Sequence, residues 1–291
     1  MASRATLLLL SLLGAAGVGW GVHHIGSAES IPADLAAPPL TPQDQAMFLY
    51  EGSGGDVRGD ADDFRLVGQY ELIQSGKGKA LHNAFAKELV ARQAARDPLG
   101  LYILGLVQSE DLIWPADNTQ AVRNITSAAE AGHAQSQFAL GTLLTAGAAG
   151  VKADPAAAER WLMRAAESGH ALAAESLASE LAEGRNGFPM DCQRAWDYAR
   201  QTQHAYEAQR RLGAAAWVHT PMILGLIRDD DCQGLPAMPE QAMAWLEEGA
   251  RIEGAVYGNQ GALLVAQLYA KDPRFKDAKK AAYWRQVAKS L

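Results

Sequence analysis

Core-facing residues in the middle of the chain recur at the spacing of a helix face, and glycines interrupt them. In the stretch 133–169, a first such face is followed by Gly147 and Gly150 and then by a second face. Asp154 and Pro155 stand where a helix N-cap and a first-turn proline are preferred. The stretch predicts two helices joined by a glycine-containing loop, with these positions facing the core: Ala134, Gln137, Leu140, Gly141 and Leu144, then Ala158, Trp161, Ala165 and Ala166.

The same pattern returns along the chain at a fixed step. Asp117, Asp154 and Asp191 follow one another at intervals of 37 residues. A period of this size is typical of solenoids built from helix pairs, and no alternating strand pattern competes with it. We therefore expect an all-α repeat protein that presents an extended surface. Other pairs keep the step: Gly132 and Gly169, Leu140 and Leu177, Gly147 and Gly184, Ala158 and Ala195.

The pattern weakens towards the N-terminus, and this suggests how the chain is divided. Residues 29–41 are rich in proline and alanine and predict a flexible tether. Residues 42–97 predict a degenerate helical repeat region, including a helix within 78–95 whose place in the register is open. The repeat array itself is expected over 98–291.

Residues 1–28 have the features of a targeting segment. Arg4 precedes the apolar run Ala5 to Gly21, and small residues lead to a possible cleavage site after Ala28. A basic start, an apolar middle and small residues before a cut are typical of a secretory signal. We expect the protein to be periplasmic or otherwise exported. The alternative is an uncleaved inner-membrane anchor that leaves the array facing the periplasm, and in that case alone we expect contact with the membrane.

Composition and motifs argue against several functional classes. The net charge is −7 and no basic stripe stands out, so we expect no nucleic-acid partner. The sequence lacks the nucleophile-elbow, zinc-protease, Ser-x-x-Lys and Cys-x-x-Cys motifs, so no catalytic, metal or cofactor site is predicted. His133 and His170 recur at the repeat period directly after glycines. We interpret them as polar residues that open helices rather than as a ligand pair.

Export would give the two cysteines a structural meaning. Cys192 and Cys232 are the only cysteines, and an even number in an oxidising compartment favours a disulfide. The alternative is two unrelated buried thiols. A bridge would stabilise the fold by ~3–4 kcal/mol in the chain-entropy treatment.

Tryptophans outside the repeat register are candidates for partner binding. Trp161, Trp245 and Trp284 occupy the core position of the repeat and are assigned to packing. Tryptophan concentrates binding energy at protein interfaces, although each off-register aromatic could instead cap irregular packing. A longer insertion separates the copy that ends near Ala199 from the next one, which starts near Leu224-Gly225. The candidate partner-binding residues, most of them around this insertion, are Trp114, Trp196, Tyr206, Trp217 and His219.

These residues resemble the Sel-one-like repeat family, a branch of the tetratricopeptide-like helical repeats. The motif appears as Leu140-Gly141, Gly150-Val151, Asp154, Trp161 and Ala165-Ala166, and the match is strong across 98–200. The resemblance implies a right-handed superhelical solenoid of antiparallel helix pairs whose concave face binds partners. Family members mostly act as adaptors. One exported, cysteine-rich subgroup with a cysteine pair in each repeat is linked to β-lactam hydrolysis, but this chain has a single pair.

The sequence therefore predicts an exported, non-catalytic scaffold that binds a protein partner on the concave face of a helical array in the bacterial cell envelope. Two alternatives stay open: a repeat hydrolase with β-lactamase-like activity, and a membrane-anchored structural spacer. The sequence does not identify the partner.

Overall fold

The computed structural model of the protein describes residues 61–211, 225, 235–257 and 259–290. In these segments the chain forms eleven α-helices, which confirms the predicted all-α class. A short 3-10 turn, Lys79–Leu81, precedes α2. The helices are α1 (Ala61–Gln74), α2 (His82–Ala94), α3 (Pro98–Ser109), α4 (Asn118–Glu130), α5 (Ala134–Ala146), α6 (Pro155–Glu167), α7 (Ala171–Glu183), α8 (Cys192–Arg211), α9 (Pro239–Tyr257), α10 (Gln260–Lys271) and α11 (Ala278–Ser290).

The chain divides into two compact units between His170 and Ala171. In the first unit, α3 packs against α4 and α5 packs against α6, while α4 also contacts α5. In the second unit, α7 pairs with α8 and α10 pairs with α11, and α9 packs on α10. The pairs α3–α4, α5–α6, α7–α8 and α10–α11 are the ones that the repeat pattern predicts. None of the helices in the described segments combines the length and the apolar composition needed to cross a bilayer.

In the pairs α3–α4, α5–α6, α7–α8 and α10–α11, an aspartate caps the start of the second helix and bonds it to the first helix. The carboxylate of Asp154 accepts a hydrogen bond from the backbone N–H of Ala157 at 2.9 Å, which satisfies a donor of the first helical turn. Its own N–H donates to the carbonyl of Leu144, in the last turn of α5, at 2.9 Å. The same two bonds recur at Asp117, Asp191 and Asp277. The aspartates predicted at the 37-residue step are therefore both caps and connectors.

Glycine at the centre of a first helix allows that helix to approach its partner closely. A Cβ added to Gly141 would lie 2.8 Å from Cγ of Leu162 and 3.3 Å from the carbonyl oxygen of Ala158. Gly105 meets Ile125 in the same way at 2.7 Å, and Gly225 meets Leu246 at 2.6 Å. The contact thus recurs at three glycines, because a glycine opposite a branched side chain gives the space that the side chain fills.

Charged side chains join α1 and α2 to α3, which opens the pair α3–α4, called here the first repeat. The guanidinium of Arg92 donates to Asp63 of α1 and to Asp97, the N-cap of α3, both at 2.8 Å. Glu88 accepts from Arg65 of α1 at 2.8 Å and from Arg92 at 3.3 Å. The hydrogen bond from Arg65 lowers the pKa of Glu88 below its ordinary value. This network holds α1 and α2 against the start of α3.

Candidate partner-binding surface

Three half-buried side chains form one line along α5, and we call Phe138, Thr142 and Thr145 the α5 stripe. They follow one another at steps of four and three residues, so they share one face of the helix. The hydroxyl of Thr142 donates to the carbonyl of Phe138 at 2.9 Å, and that of Thr145 to the carbonyl of Gly141 at 3.0 Å. Because both hydroxyl protons are used within the helix, the stripe presents mainly methyl groups and an aromatic ring.

The ring of Phe138 is held in place by a buried histidine. It stacks on His170 with ring centroids 4.6 Å apart and an interplanar angle of 26°. His170 is only 1% exposed, and its Nε2 lies 2.6 Å from Oε1 of Gln135. Phe138 is therefore a preorganised contact surface rather than a mobile side chain.

The same arrangement occurs one repeat earlier. Tyr102 of α3 lies against His133, with ring centroids 5.1 Å apart, and Nδ1 of His133 lies 2.8 Å from the hydroxyl of Ser136. The sequence placed His133 and His170 correctly at the openings of helices. It missed that both are buried against aromatic rings, although the sequence holds a signal for this: Tyr102 two positions before Leu104-Gly105, and Phe138 two positions before Leu140-Gly141.

On α3, the positions equivalent to the α5 stripe are already covered. These positions, set by aligning the Leu-Gly pairs, are Tyr102, Leu106 and Ser109, and they are 7%, 6% and 2% exposed. Helix α1 packs on α3, and its Tyr70 donates a hydrogen bond to Glu110, at the end of α3, at 2.9 Å. Tyr70 and Tyr102 both belong to the buried hydrophobic core of the first unit. One helix of this chain thus docks beside the first-helix face of the first repeat.

The contact between α1 and α3 is polar but largely dry. Burial raises the pKa of Tyr70 well above its ordinary value, and the Glu110 carboxylate adds to this effect. Burial also raises the pKa of Glu110, while hydrogen bonds from Tyr70 and Gln74 oppose that rise. The amide of Gln74 donates to Glu110 at 3.2 Å. A hydroxyl and an amide of a docked helix therefore recognise the carboxylate at the end of α3.

The structure shows the surroundings of three tryptophans named in the sequence analysis: Trp196, Trp114 and Trp284. Trp196 of α8 is half-buried and lies against Trp245 of α9, with ring centroids 5.8 Å apart and an interplanar angle of 52°. Trp114 is half-buried in the loop after α3 and packs on the core of the first unit. Trp284 is 1% exposed, in agreement with its assignment to packing. Trp196 and Trp114, which the sequence analysis named as candidates for partner binding, thus also contribute to packing.

The remaining candidates fall outside what the structure describes. This applies to Trp217, to His219 and to the side chain of Tyr206. Cys192 is fully buried at the first residue of α8, and Cys232 lies outside the described residues, so their pairing stays a prediction. Within the described segments, no three His, Cys, Asp or Glu residues are grouped so that they could hold a metal ion.

Comparisons with known proteins identify the fold. No family model matches the chain, and no curated protein matches it. Among solved structures, it resembles a Sel1 repeat protein from Oxalobacter formigenes, with a TM-score of 0.61, 23% identity and coverage of 79% of this chain and 83% of that one. It also matches a protective antigen present in uropathogenic Escherichia coli strains displaying an SLR fold, with a TM-score of 0.46 and 19% identity; the match covers 85% of this chain and 56% of the antigen.

Proposed function

Because the chain has the fold of the Sel-one-like repeat proteins, we propose that it is a non-catalytic scaffold that binds a helical segment of a protein partner on the α5 stripe. Helical repeats offer their first-helix faces as extended surfaces, which suits an adaptor better than an enzyme. The stripe supplies an apolar line of three side chains, and an amphipathic helix with apolar residues at matching steps would complement it.

The observation that carries this proposal is the docking of α1 on α3. Residues at the first-helix face of α3 are buried, and Tyr70 of α1 donates a hydrogen bond to Glu110 at the end of α3. The equivalent positions on α5 are half-buried and carry the fixed ring of Phe138. A face that accepts a helix in one repeat has the right geometry to accept one in the next repeat. The partner segment would lie on α5 as α1 lies on α3.

Charged substitutions on the stripe give a direct test. We expect Thr142→Glu with Thr145→Glu to abolish the capture of specific partners by the full-length protein from envelope extract, because two carboxylates would be buried under an apolar helix face. The matched control is Thr119→Glu with Ser127→Glu, which places the same charges on exposed positions of α4. Captured proteins would be identified by mass spectrometry and the folding of both variants checked by circular dichroism.

The two variants separate a binding role from a structural one. Loss of partners from the stripe variant alone, with an unchanged melting temperature, supports the proposal. Equal capture by wild type and the stripe variant would refute it. If the stripe variant melts at a lower temperature, Thr142→Gln with Thr145→Gln, which adds bulk without charge, repeats the comparison.

We further propose that the protein works in the cell envelope after export. The support is the sequence of residues 1–28 and the single pair of cysteines, whose bridge an oxidising compartment would favour. N-terminal sequencing of the protein from fractionated cells should give a mature start near Glu29. An intact N-terminus in the membrane fraction would favour the anchored spacer instead. If the disulfide forms, the intact mass measured under non-reducing conditions should be lower than that of the reduced protein by the mass of two hydrogen atoms.

A further inference from the structure

The last helix pair carries a charge opposite to that of the whole protein. Residues 271–291 contain seven lysines and arginines against two aspartates, a net charge of +5. The whole chain has a net charge of −7, so residues 1–270 carry −12. Helix α11 contains four basic residues and no acidic one. The overall acidity of the sequence conceals this local basic region.

Both aspartates in this region are already engaged. Asp272 holds Arg274, with Oδ2 and Nη2 2.6 Å apart, and Asp277 caps α11 by accepting from the backbone N–H of Lys280 at 3.0 Å. The ammonium of Lys280 donates to the hydroxyl of Tyr269 at 3.1 Å. Five exposed basic side chains remain without a carboxylate partner in the segments that the structure describes: Lys271, Lys276, Lys279, Arg285 and Lys289.

The shape of α11 indicates what these charges could bind. The helix buries Ala281, Trp284 and Ala288 and turns Lys279 and Lys289 outward, with Tyr283 between them 55% exposed. The outward side of a single helix has no groove that would enclose a peptide. Four of the five basic residues are lysines, whose charge is compact and poorly directional, whereas arginine favours defined carboxylate pairs. An exposed tyrosine among lysines suits a boundary between polar headgroups and acyl chains.

We propose that the outward side of α11 and the preceding loop form a peripheral binding surface for a bilayer that contains anionic phospholipids. The lysines contact the headgroups electrostatically, and the ring of Tyr283 lies at the level of the headgroups. This contact needs no membrane-spanning segment and leaves the α5 stripe unchanged. It is independent of the partner proposed above.

Vesicle co-sedimentation of the full-length protein tests the proposal. The probes are vesicles of 70% phosphatidylcholine and 30% phosphatidylglycerol, compared with pure phosphatidylcholine, in 50 and 500 mM NaCl. We expect binding that depends on the anionic lipid and weakens at high salt. K276Q/K279Q/R285Q/K289Q should lower the anionic-lipid partition coefficient by about 100-fold or more, because four positive charges that attract the anionic headgroups are removed.

The matched control is K77Q/K79Q/K87Q/K152Q, which removes four exposed positive charges elsewhere and gives the same net charge of −11. This control should bind as the wild type does. Tyr283→Ala should weaken binding without changing its salt dependence. An equal loss in both quadruple variants, or equal binding to neutral and anionic vesicles, would refute the proposal.

A second readout locates the contact and does not depend on the N-terminal apolar run. Anionic vesicles should protect Lys279 and Lys289 from acetylation, measured by mass spectrometry, but leave Lys77 and Lys152 reactive. Unprotected α11 lysines would overturn the proposal. Tighter binding of duplex DNA or polyglutamate than of vesicles, through the same lysines, would also overturn it.

Discussion

At the scale of single residues, the prediction from the sequence and the structure agree most closely at the N-cap aspartates. Asp154 was predicted as a cap, and its carboxylate does accept from Ala157. We expect Asp154→Ala to lower the free energy of unfolding by about 1 kcal/mol, because one donor of the first turn loses its acceptor. Asp154→Asn keeps that acceptor and should cost much less. Urea denaturation followed by circular dichroism measures both changes, and equal losses would contradict the capping role.

Glu110 provides a prediction about pH. Burial raises its pKa in the folded state above the ordinary value, so the folded protein holds this proton more tightly than the unfolded chain does. The associated stability is present at low pH and is lost as the pH rises through the folded-state pKa. Glu110→Gln keeps an acceptor for Tyr70 and never ionises. We expect it to raise the melting temperature relative to wild type at pH 7–8.

That difference should shrink towards pH 4, where Glu110 of the wild type is protonated as well. Thermal melts of the two proteins across this range provide the measurement. A difference that does not change with pH would mean that the substitution acts through packing, and a less stable variant at neutral pH would contradict the prediction.

At the scale of helices, we expect the glycine and the branched residue that it contacts to contribute to stability in a coupled way. The three contacts described above place glycine opposite Ile125, Leu162 or Leu246, whereas the equivalent positions of α7 and α8 hold Ala178 and Ala199. We expect Gly141→Ala to cost about 1–3 kcal/mol through overpacking, and Leu162→Ala about 2–5 kcal/mol through the cavity it leaves. The double variant reproduces the alanine pair and should cost less than the sum of the two.

The stabilities of the four proteins, from denaturant unfolding, complete this cycle. A coupling of about 1 kcal/mol or more is expected, since residues in contact are not additive. Strict additivity would show that the two positions do not share space.

The contact between Trp196 of α8 and Trp245 of α9 can be measured with the same kind of double-variant cycle. Trp196 was predicted as an anchor for a partner, and its ring lies against Trp245. We expect Trp196→Ala to lower the melting temperature, with a coupling to Trp245→Ala of about 0.5–1.5 kcal/mol beyond buried area. Partner capture measured on the same variants separates the two roles. Weaker capture at an unchanged melting temperature would favour the anchor alone.

At the scale of the whole molecule, the sequence predicted the helices and their caps better than the contacts between distant segments. The sequence reveals the period of 37 residues, the aspartates and the glycines because each of them acts through neighbours within one helix pair. The docking of α1 could not be predicted from the sequence, because Tyr70 and Glu110 are 40 residues apart and α1 lies outside the repeat register. The basic surface of α11 was missed because the net charge averages over the whole chain.

The two bonds made by each cap aspartate also bear on protein engineering. The residue that supplies the carbonyl and the aspartate that donates to it are separated by eight to ten positions in the four pairs, so the connecting segments already differ in length while the junction is retained. The exposed part of the loop, between Gly150 and Asp154, should therefore accept a short epitope or a fluorophore acceptor peptide, provided that Leu144, Asp154 and the buried Ala148 and Ala149 are left intact. Such an insertion would report on the protein in living cells without altering its α5 stripe.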